Sequence, residues 1–144
     1  MKSEHCSLAE YASVVPAGSF DLIVSNPPFF ENSLKSARER RSAARHTDSL
    51  PLEDLLSDSY RLLSERGRLA VILPSETASA FVVDALQRGF FLHRECRVKS
   101  SEEGPVIREM LEVGKSPVKK VATLTLTLGG DKHKKQVAEY ISAV

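Results

Sequence analysis

The sequence lacks tryptophan, has only two cysteines, and contains no apolar run approaching the roughly 18 residues of a transmembrane helix. Its first residues also lack the apolar core of a signal peptide, so we expect no membrane span and no secretion signal. Cys6 and Cys96 lie far apart and match no metal or redox spacing. Two reduced thiols in a cytoplasmic protein are therefore the expectation.

An excess of charge of one sign is also missing, since 20 Lys and Arg face 19 Asp and Glu for a formal charge of +1. Attraction to nucleic acid must therefore come from local clusters of cations. The 144 residues, 42% hydrophobic and 27% charged, have the composition of one globular domain over residues 1–144, which we expect to be partial. The histidines show no paired spacing with carboxylates or thiols, so no metal site is expected. They are His5, His46, His93 and His133.

Short apolar runs closed by proline alternate with amphipathic segments along the chain. Residues 21–25 and 67–74 predict strands buried on both faces, and the first of these is expected to be central in a parallel sheet. Leucines at helical spacing predict a helix over residues 51–66, and a second helix is predicted from Ser75 to Gly89. The other predicted elements are strands over 90–98 and 121–128 and short helices over 105–113 and 132–144. This order predicts an α/β doubly wound fold with its ligand site beyond the carboxyl ends of the strands.

One motif occupies that place, because Asn26-Pro27-Pro28-Phe29, followed by Phe30, comes directly after the first predicted strand. Two prolines stiffen the backbone and remove two N–H donors, so the loop presents acceptors only. An exocyclic amino group could donate its two hydrogens to the Asn26 side-chain oxygen and the Pro27 carbonyl. Phe29 could then stack on the attached ring. The alternative is an ordinary turn beside two core phenylalanines.

Residues 31–50 form a basic segment next to this motif. From Glu31 to His46, five cations face two acids. Phosphate contacts give RNA affinity that does not depend on sequence, so this segment is the candidate for docking an RNA backbone. A solvated active-site loop with no RNA role is the competing interpretation. The candidate docking residues are Lys35, Arg38, Arg40, Arg41 and Arg45.

The run Phe20-Asp21-Leu22-Ile23-Val24-Ser25-Asn26-Pro27-Pro28-Phe29-Phe30 resembles the signature of S-adenosylmethionine-dependent enzymes that methylate an exocyclic or amide nitrogen. Arg45-His46, the leucine-rich helix and the strand at 67–74 narrow the resemblance to the bacterial tRNA(Val) adenine-37 N6-methyltransferase family. The likeness covers residues 7–126, and it is specific at the Asn-Pro-Pro-Phe motif and loose beyond Val98.

The resemblance implies a Rossmann-like class I methyltransferase layer comprising the family's strands 4 to 7 with intervening helices, the last strand antiparallel. It implies N6-methylation of an anticodon-loop adenine in tRNA by direct in-line transfer from S-adenosyl-L-methionine. Asn26 and Pro27 would hold the target amine, and Phe29 would stack on the extruded base, with Pro28 and Phe30 beside it. Ser7, Leu8 and Asn26 would contact the cofactor.

The sequence departs from the family in lacking the glycine-rich loop that holds the methionine end of the cofactor. None of the seven glycines forms a G-x-G cluster after a strand. We therefore expect weak or absent cofactor binding by this chain. In the family the strand before Asn26 pairs with the strand that precedes this loop, so one edge of residues 21–25 should lie open and favour a homodimer.

Two alternatives remain open at this point. The same loop could methylate a glutamine amide in a protein, as release-factor methyltransferases do, although those enzymes typically carry Tyr after the prolines. The chain could also be a non-catalytic fragment that binds RNA or dimerises, which the missing glycine loop favours.

Overall fold

The computed structural model describes residues 1–28, 51–131, 135–136 and 138–139. Within them, no helix is long and apolar enough to cross a membrane. The predicted helix at 132–144 falls mostly outside these residues. Helices are α1 (Leu8–Val14), α2 (Leu52–Leu62) and α3 (Ser75–Gln87), and strands are β1 (Phe20–Ser25), β2 (Leu63–Pro74), β3 (Phe91–Lys99), β4 (Val106–Gly114) and β5 (Ala122–Thr127).

The strands form one sheet in the order β1-β2-β4-β3-β5, which confirms the predicted α/β class. Strand β1 is parallel to β2, and β3 is parallel to β5, while β4 is antiparallel to both of its neighbours. The expectation that the last strand is antiparallel is wrong, because β5 runs with β3 and the reversed strand is β4. Strand β5 therefore lies parallel to the one strand that it pairs with.

Strand β4 lies where the sequence predicted a short helix over residues 105–113, so that prediction is wrong. Val106, Ile107, Met110 and Leu111 are spaced as on a helix, but β4 is hydrogen-bonded between β2 and β3 along its whole length. Two flanking ladders outweigh an intrinsic helix preference that amounts to less than about 1 kcal/mol per residue.

Helix α2 ends at Leu62, before the predicted residue 66, because Leu63 is already extended and begins β2. Strand β2 thus begins before the predicted residue 67, and its first residues pair irregularly with β1. The register shifts between the pairs Phe20–Leu63 and Leu22–Arg68. A Cβ at Gly67 would lie 2.8 Å from the Phe20 carbonyl oxygen. Glycine is therefore required where these two strands approach each other most closely.

The hydrophobic core lies between the sheet and the helices, on what we call the helix face. Leu69, Val71 and Leu73 of β2 point to this face and are at most 3% exposed. Leu55 and Leu56 of α2 pack against the same cluster, together with three residues of α3. The latter are Ala78, Phe81 and Ala85.

The opposite side of the sheet, which we call the open face, carries no helix in the described part of the chain. Its residues include Leu22 and Val24 of β1, which are 57% and 72% exposed. By strand pairing they are followed across the sheet by Ala70, Ile72 and Met110. The prediction that residues 21–25 are buried on both faces is therefore wrong.

Strand β1 lies at the edge of the described sheet. The prediction that it is central is therefore wrong. The sequence also led us to expect an open edge at residues 21–25, and among the described residues β2 is the one strand that pairs with β1. Its outer backbone groups form a template for another strand.

Helix α1 was not predicted, although Ser7-Leu8-Ala9-Glu10 matches the capping-box pattern. The Ser7 hydroxyl accepts from the Glu10 N–H, and the Glu10 carboxylate accepts from the Ser7 N–H and hydroxyl. These bonds hold the pKa of Glu10 below its ordinary value. At the other end of α1, the Arg61 guanidinium donates to the carbonyls of Ala12 and Val15. The helix is therefore fixed at both ends.

Candidate active site

The loop Asn26-Pro27-Pro28 leaves the sheet before its neighbour does. Ser25, the last residue of β1, pairs with Val71, while β2 continues for three more residues to Pro74. Three extended residues span about 10 Å, so the loop begins in a notch beside the end of β2. This is the carboxyl edge of both parallel strands, where α/β folds place their ligands.

Exposure continues to alternate beyond the strand. Val24, Asn26 and Pro28 are exposed, whereas Pro27 is buried. Alternation assigns Pro27 to the helix face and Asn26 to the side of the open face. The loop is therefore anchored through one proline, and its amide side chain faces outward.

The hydrogen-bonding capacity at this corner is unused. The Asn26 side chain forms no hydrogen bond with the described residues, and the two prolines have no N–H to donate. The Asn26 side-chain oxygen and the Pro27 carbonyl are thus candidate acceptors for a ligand that donates two hydrogens. They are the two acceptors that the sequence predicted for an amino group.

The end of β2 beside this corner is held by side-chain bonds. The Thr77 hydroxyl donates to the Pro74 carbonyl at 2.9 Å, and the Ser75 hydroxyl donates to the Val106 carbonyl at 2.9 Å. Neither role was predicted from the sequence. The Thr77 bond follows the local pattern in which a hydroxyl bonds to a carbonyl three residues earlier, whereas the Ser75 bond to β4 has no local signature. These bonds tie the start of α3 to β2 and to β4, which makes one wall of the notch rigid.

Arg108 was missed as a site candidate because its segment was read as a helix. As a residue of β4 it pairs opposite Pro74, which places it at the same carboxyl edge as the notch. Arg108 is exposed and forms no hydrogen bond or ion pair with the described residues. Two strand spacings, about 10 Å, separate β4 from β1, so its cation stands across the notch from the loop.

Most of the predicted base-stacking and docking residues lie outside the described part of the chain. These are Phe29, Phe30, Lys35, Arg38, Arg40, Arg41 and Arg45, together with the rest of the basic segment 31–50.

The predicted cofactor residues Ser7 and Leu8 lie at the start of α1. The last turn of α1 is bound by Arg61, which lies just before the start of β2. The Ser7 hydroxyl and N–H are already used by the capping box, and Leu8 packs against the core cluster. A depression of about 430 Å³ beside α1, lined by residues such as Cys6 and Tyr11, includes no residue of the Asn-Pro-Pro loop.

The described residues fit only part of a site for S-adenosyl-L-methionine. Gly67 is needed for the close packing of β1 against β2. Gly18 and Gly89, with φ of 72° and 92°, form turns next to α1 and α3. Gly129 and Gly130 follow β5, at the opposite end of the sheet from β1. Gly104 lies in the connection between β3 and β4 against Ser100 and Ser101, and Gly114 ends β4 against His93. None of the seven glycines belongs to a G-x-G cluster after a strand, so they do not form the loop of backbone N–H groups that would hold the methionine end of the cofactor.

The chain is similar in sequence to curated proteins that share one name. It is 42% identical over 128 residues to the tRNA1(Val) (adenine(37)-N6)-methyltransferase of Trichodesmium erythraeum, a match covering 88% of this chain and 53% of the relative. The enzyme of the same name from Parabacteroides distasonis is 40% identical over 115 residues, covering 80% and 48%. The chain thus spans about half the length of the curated relatives it matches. No family model matches it.

Solved structures support the fold alone. An Agrobacterium tumefaciens protein described as a predicted O-methyltransferase superposes with a TM-score of 0.57 at 12% identity, covering 93% of this chain and 56% of that one. A Thermus thermophilus protein named as a DNA modification methylase, solved with S-adenosyl-L-methionine, gives 0.54 at 17% identity, covering 78% and 54%. The resemblance noted in the sequence is confirmed, because most of this chain is similar to curated proteins named tRNA1(Val) (adenine(37)-N6)-methyltransferase.

Proposed function

We propose that this chain carries the amine-binding part of a tRNA adenine-N6 methyltransferase, with tRNA as its partner and the cytoplasm as its compartment. The observation that carries this proposal is the outward-facing amide of Asn26, which has no hydrogen-bond partner among the described residues and lies beside the Pro27 carbonyl at the carboxyl edge of β1. Similarity to relatives named tRNA1(Val) (adenine(37)-N6)-methyltransferase supports the choice of substrate.

In this proposal the chain acts on the exocyclic amine by orienting it. One hydrogen is donated to the Asn26 side-chain oxygen and the other to the Pro27 carbonyl, which draws the nitrogen lone pair out of conjugation with the ring. Phe29 stacks on the extruded adenine, with Pro28 and Phe30 beside it. Because positioning supplies the rate, no covalent enzyme intermediate is required, and the proton that the methylated nitrogen loses passes to water.

S-adenosyl-L-methionine, when bound, supplies the methyl group. The chain contributes Asn26 and the segment at Ser7 and Leu8 to that site. Since the glycines form no G-x-G cluster after a strand, we expect this chain alone to bind the cofactor weakly or not at all.

Docking of the tRNA backbone is assigned to the basic segment and to Arg108. The basic segment supplies Lys35, Arg38, Arg40, Arg41 and Arg45, and Arg108 adds a cation from β4. Cations that neutralise phosphates make binding dependent on salt. Charge reversal of Arg40 and Arg41 should weaken tRNA binding and flatten this salt dependence, and an unchanged binding curve would remove them from the interface.

The open edge of β1 provides for self-association. Where nothing else covers it, we expect β1 to pair with a second copy, which gives a homodimer. Sedimentation velocity over a range of concentrations measures this association, and a monomer at every concentration would contradict it.

The proposed activity is tested by methyl transfer from radiolabelled S-adenosyl-L-methionine to unmodified tRNA. The assay uses this chain and a form extended at its N-terminus to the length of its relatives. We expect N6-methyladenosine in the tRNA and a loss of at least about 100-fold in kcat/KM for Asn26→Ala. Gln87→Ala, which removes an exposed amide at the far end of α3, should leave the rate unchanged.

Three results would overturn the proposal. They are methylation of a protein glutamine in place of tRNA, no methylation by either form, and full activity of Asn26→Ala. The first would favour the glutamine methyltransferase alternative, and the second would favour a non-catalytic fragment.

A further inference from the structure

The edge of the sheet opposite β1 is formed by β5, and a side chain lies where a further strand would pair. The Gln136 side-chain amide donates to the Thr125 carbonyl at 3.0 Å and accepts from the Thr127 N–H at 3.2 Å. Thr127 is 3% exposed, so its N–H would have little access to water if this bond were absent. Leaving a buried N–H unpaired is costly, so the amide contributes to the stability of this edge.

The two bonds reproduce the pattern of a parallel strand pair. In such a pair, the N–H and the C=O of one residue bond to two residues of the partner strand that are separated by one position. Thr125 and Thr127 flank Leu126, so the amide lies opposite Leu126, as a residue of a further parallel strand would. On its other side Leu126 pairs with Val98 of β3, which is also parallel to β5. The Gln136 amide therefore continues the sheet by one residue beyond β5.

This amide is supplied by the chain that follows β5. Gly130, with a φ of 80°, lies between the strand and Gln136, and this left-handed conformation is one that glycine adopts at little cost. Gln136 follows Thr127 by nine residues. Closing so short a loop costs less conformational entropy than closing a long one. We call the Gln136 amide with its two bonds to β5 the edge cap.

Strand β5 has the sequence of a segment that pairs with itself. Residues 121–128 contain no charged residue and no proline, and threonine alternates with leucine from Thr123 to Leu128. Leu124 and Leu128 are 51% and 53% exposed. Uncharged segments of this kind associate when their edge is open. Two antiparallel copies of β5 related by a two-fold axis would place threonines opposite threonines and leucines opposite leucines.

We propose that the Gln136 amide is an autoinhibitory edge cap, which competes with the β5 strand of a second copy for the outer backbone groups of β5. With the edge cap bound, the Thr125 carbonyl and the Thr127 N–H are occupied, so a second strand cannot pair there. With the edge cap released, β5 becomes a self-complementary interface. The device does not rest on the proposed function, since it lies at the opposite edge of the sheet from Asn26.

Amide hydrogen exchange tests whether the edge cap forms in solution. Gln136→Ala should accelerate exchange of the Thr127 N–H by about 10-fold, as expected for the loss of one hydrogen bond. The Leu128 N–H is an internal control, because it donates to the Lys99 carbonyl of β3. Gln87→Ala, which removes an exposed amide at the end of α3, is the matched variant and should change neither rate. The rates are compared at a concentration at which Gln136→Ala sediments as the unaltered chain does.

Sedimentation velocity tests what the edge cap prevents. Gln136→Ala should lower the dissociation constant of self-association by at least about 10-fold relative to the unaltered chain, because the competitor for the edge is gone. Adding Thr125→Lys to Gln136→Ala should abolish this gain, since a lysine at the centre of an edge strand opposes pairing. Gln87→Ala should associate as the unaltered chain does, and circular dichroism checks that each variant keeps its fold.

Three results would overturn the proposal. Unchanged exchange of the Thr127 N–H in Gln136→Ala would show that the edge cap does not form. No gain in association, or a gain that persists with Thr125→Lys, would show that the edge cap does not protect β5 from a second copy. Association through β1 is common to all of these variants, so it does not alter the comparison, and no readout involves methylation.

Discussion

Strands β1 and β2 have similar sequences and very different surroundings. Both are short apolar runs closed by proline, and they pair with each other in parallel. Strand β2 lies between β1 and β4, and Leu69 and Leu73 are fully buried, whereas β1 exposes more than half of the Leu22 and Val24 surfaces.

The difference shows that an apolar composition indicates only that a strand can be buried. The neighbouring strands and helices decide which of its side chains are buried. On β2 the apolar side chains contribute to stability. On β1 the outward ones remain free to contribute to association.

The largest test of this comparison truncates one leucine on each strand. Leu73→Ala should lower the free energy of unfolding by about 3 kcal/mol, because it leaves a cavity in a packed core. Leu22→Ala should cost no more than about 0.5 kcal/mol, because its side chain is largely hydrated already. Urea denaturation measures both. Equal losses would mean that β1 is covered in solution by some part of this chain or by another copy.

A smaller effect is expected where α1 is attached beside β1. Arg61→Ala removes the donor to the Ala12 and Val15 carbonyls and should cost about 1.5 kcal/mol, as for hydrogen bonds from charged groups. Arg88→Ala, which loses one exposed bond to the Ser57 hydroxyl, is the control and should cost about 0.5 kcal/mol. Hydrogen exchange should accelerate in α1 for Arg61→Ala alone. Uniform acceleration throughout the sheet would show that β1 and β2 unfold as one unit.

The smallest effect concerns a carboxyl group on the helix face. Burial, reinforced by the neighbouring Glu95 carboxylate and opposed by Arg97, raises the pKa of Glu109. The folded state therefore disfavours the ionised form, so this cost is absent below the unfolded pKa and complete above the raised one. Glu109→Gln should stabilise the protein at pH 7 by about 0.5 kcal/mol and give no gain near pH 3.

Exposed Glu65→Gln is the matched control for this measurement, since it makes the same substitution on the surface of β2. A benefit of Glu109→Gln that is equal at both pH values would assign it to packing. Burial of the Glu109 charge would then not be a cause of the difference in stability between the two faces of the sheet.

Sequence reasoning succeeded where local pattern and tertiary environment agree. The run at residues 21–25 and the leucine spacing of α2 identified a strand and a helix because each is one continuous apolar surface. It failed at β4, whose residues suit a helix in isolation and become a strand through pairing with β2 and β3. That failure also concealed Arg108, since its place at the carboxyl edge follows only from the register with Pro74.

The candidate site was predictable in part. Proline chemistry alone gave the acceptor character of Asn26 and Pro27. The offset between the ends of β1 and β2, which creates the notch, depends on pairing between residues about 45 positions apart and has no local signature. Likewise, nothing in the composition of β1 revealed that the described sheet would place it at an edge.

Ser25 pairs with Val71, so the register of β1 is fixed at its end. Because successive side chains point to opposite faces of the sheet, this register also fixes the face toward which the Asn26 amide points. Inserting one residue between Ser25 and Asn26 would turn the amide toward the helices and send the first proline outward. Inserting two would restore the direction and shift the amide by about 7 Å along the strand. Chain length at this junction therefore fixes the aim of the amide as firmly as the identity of the residue does.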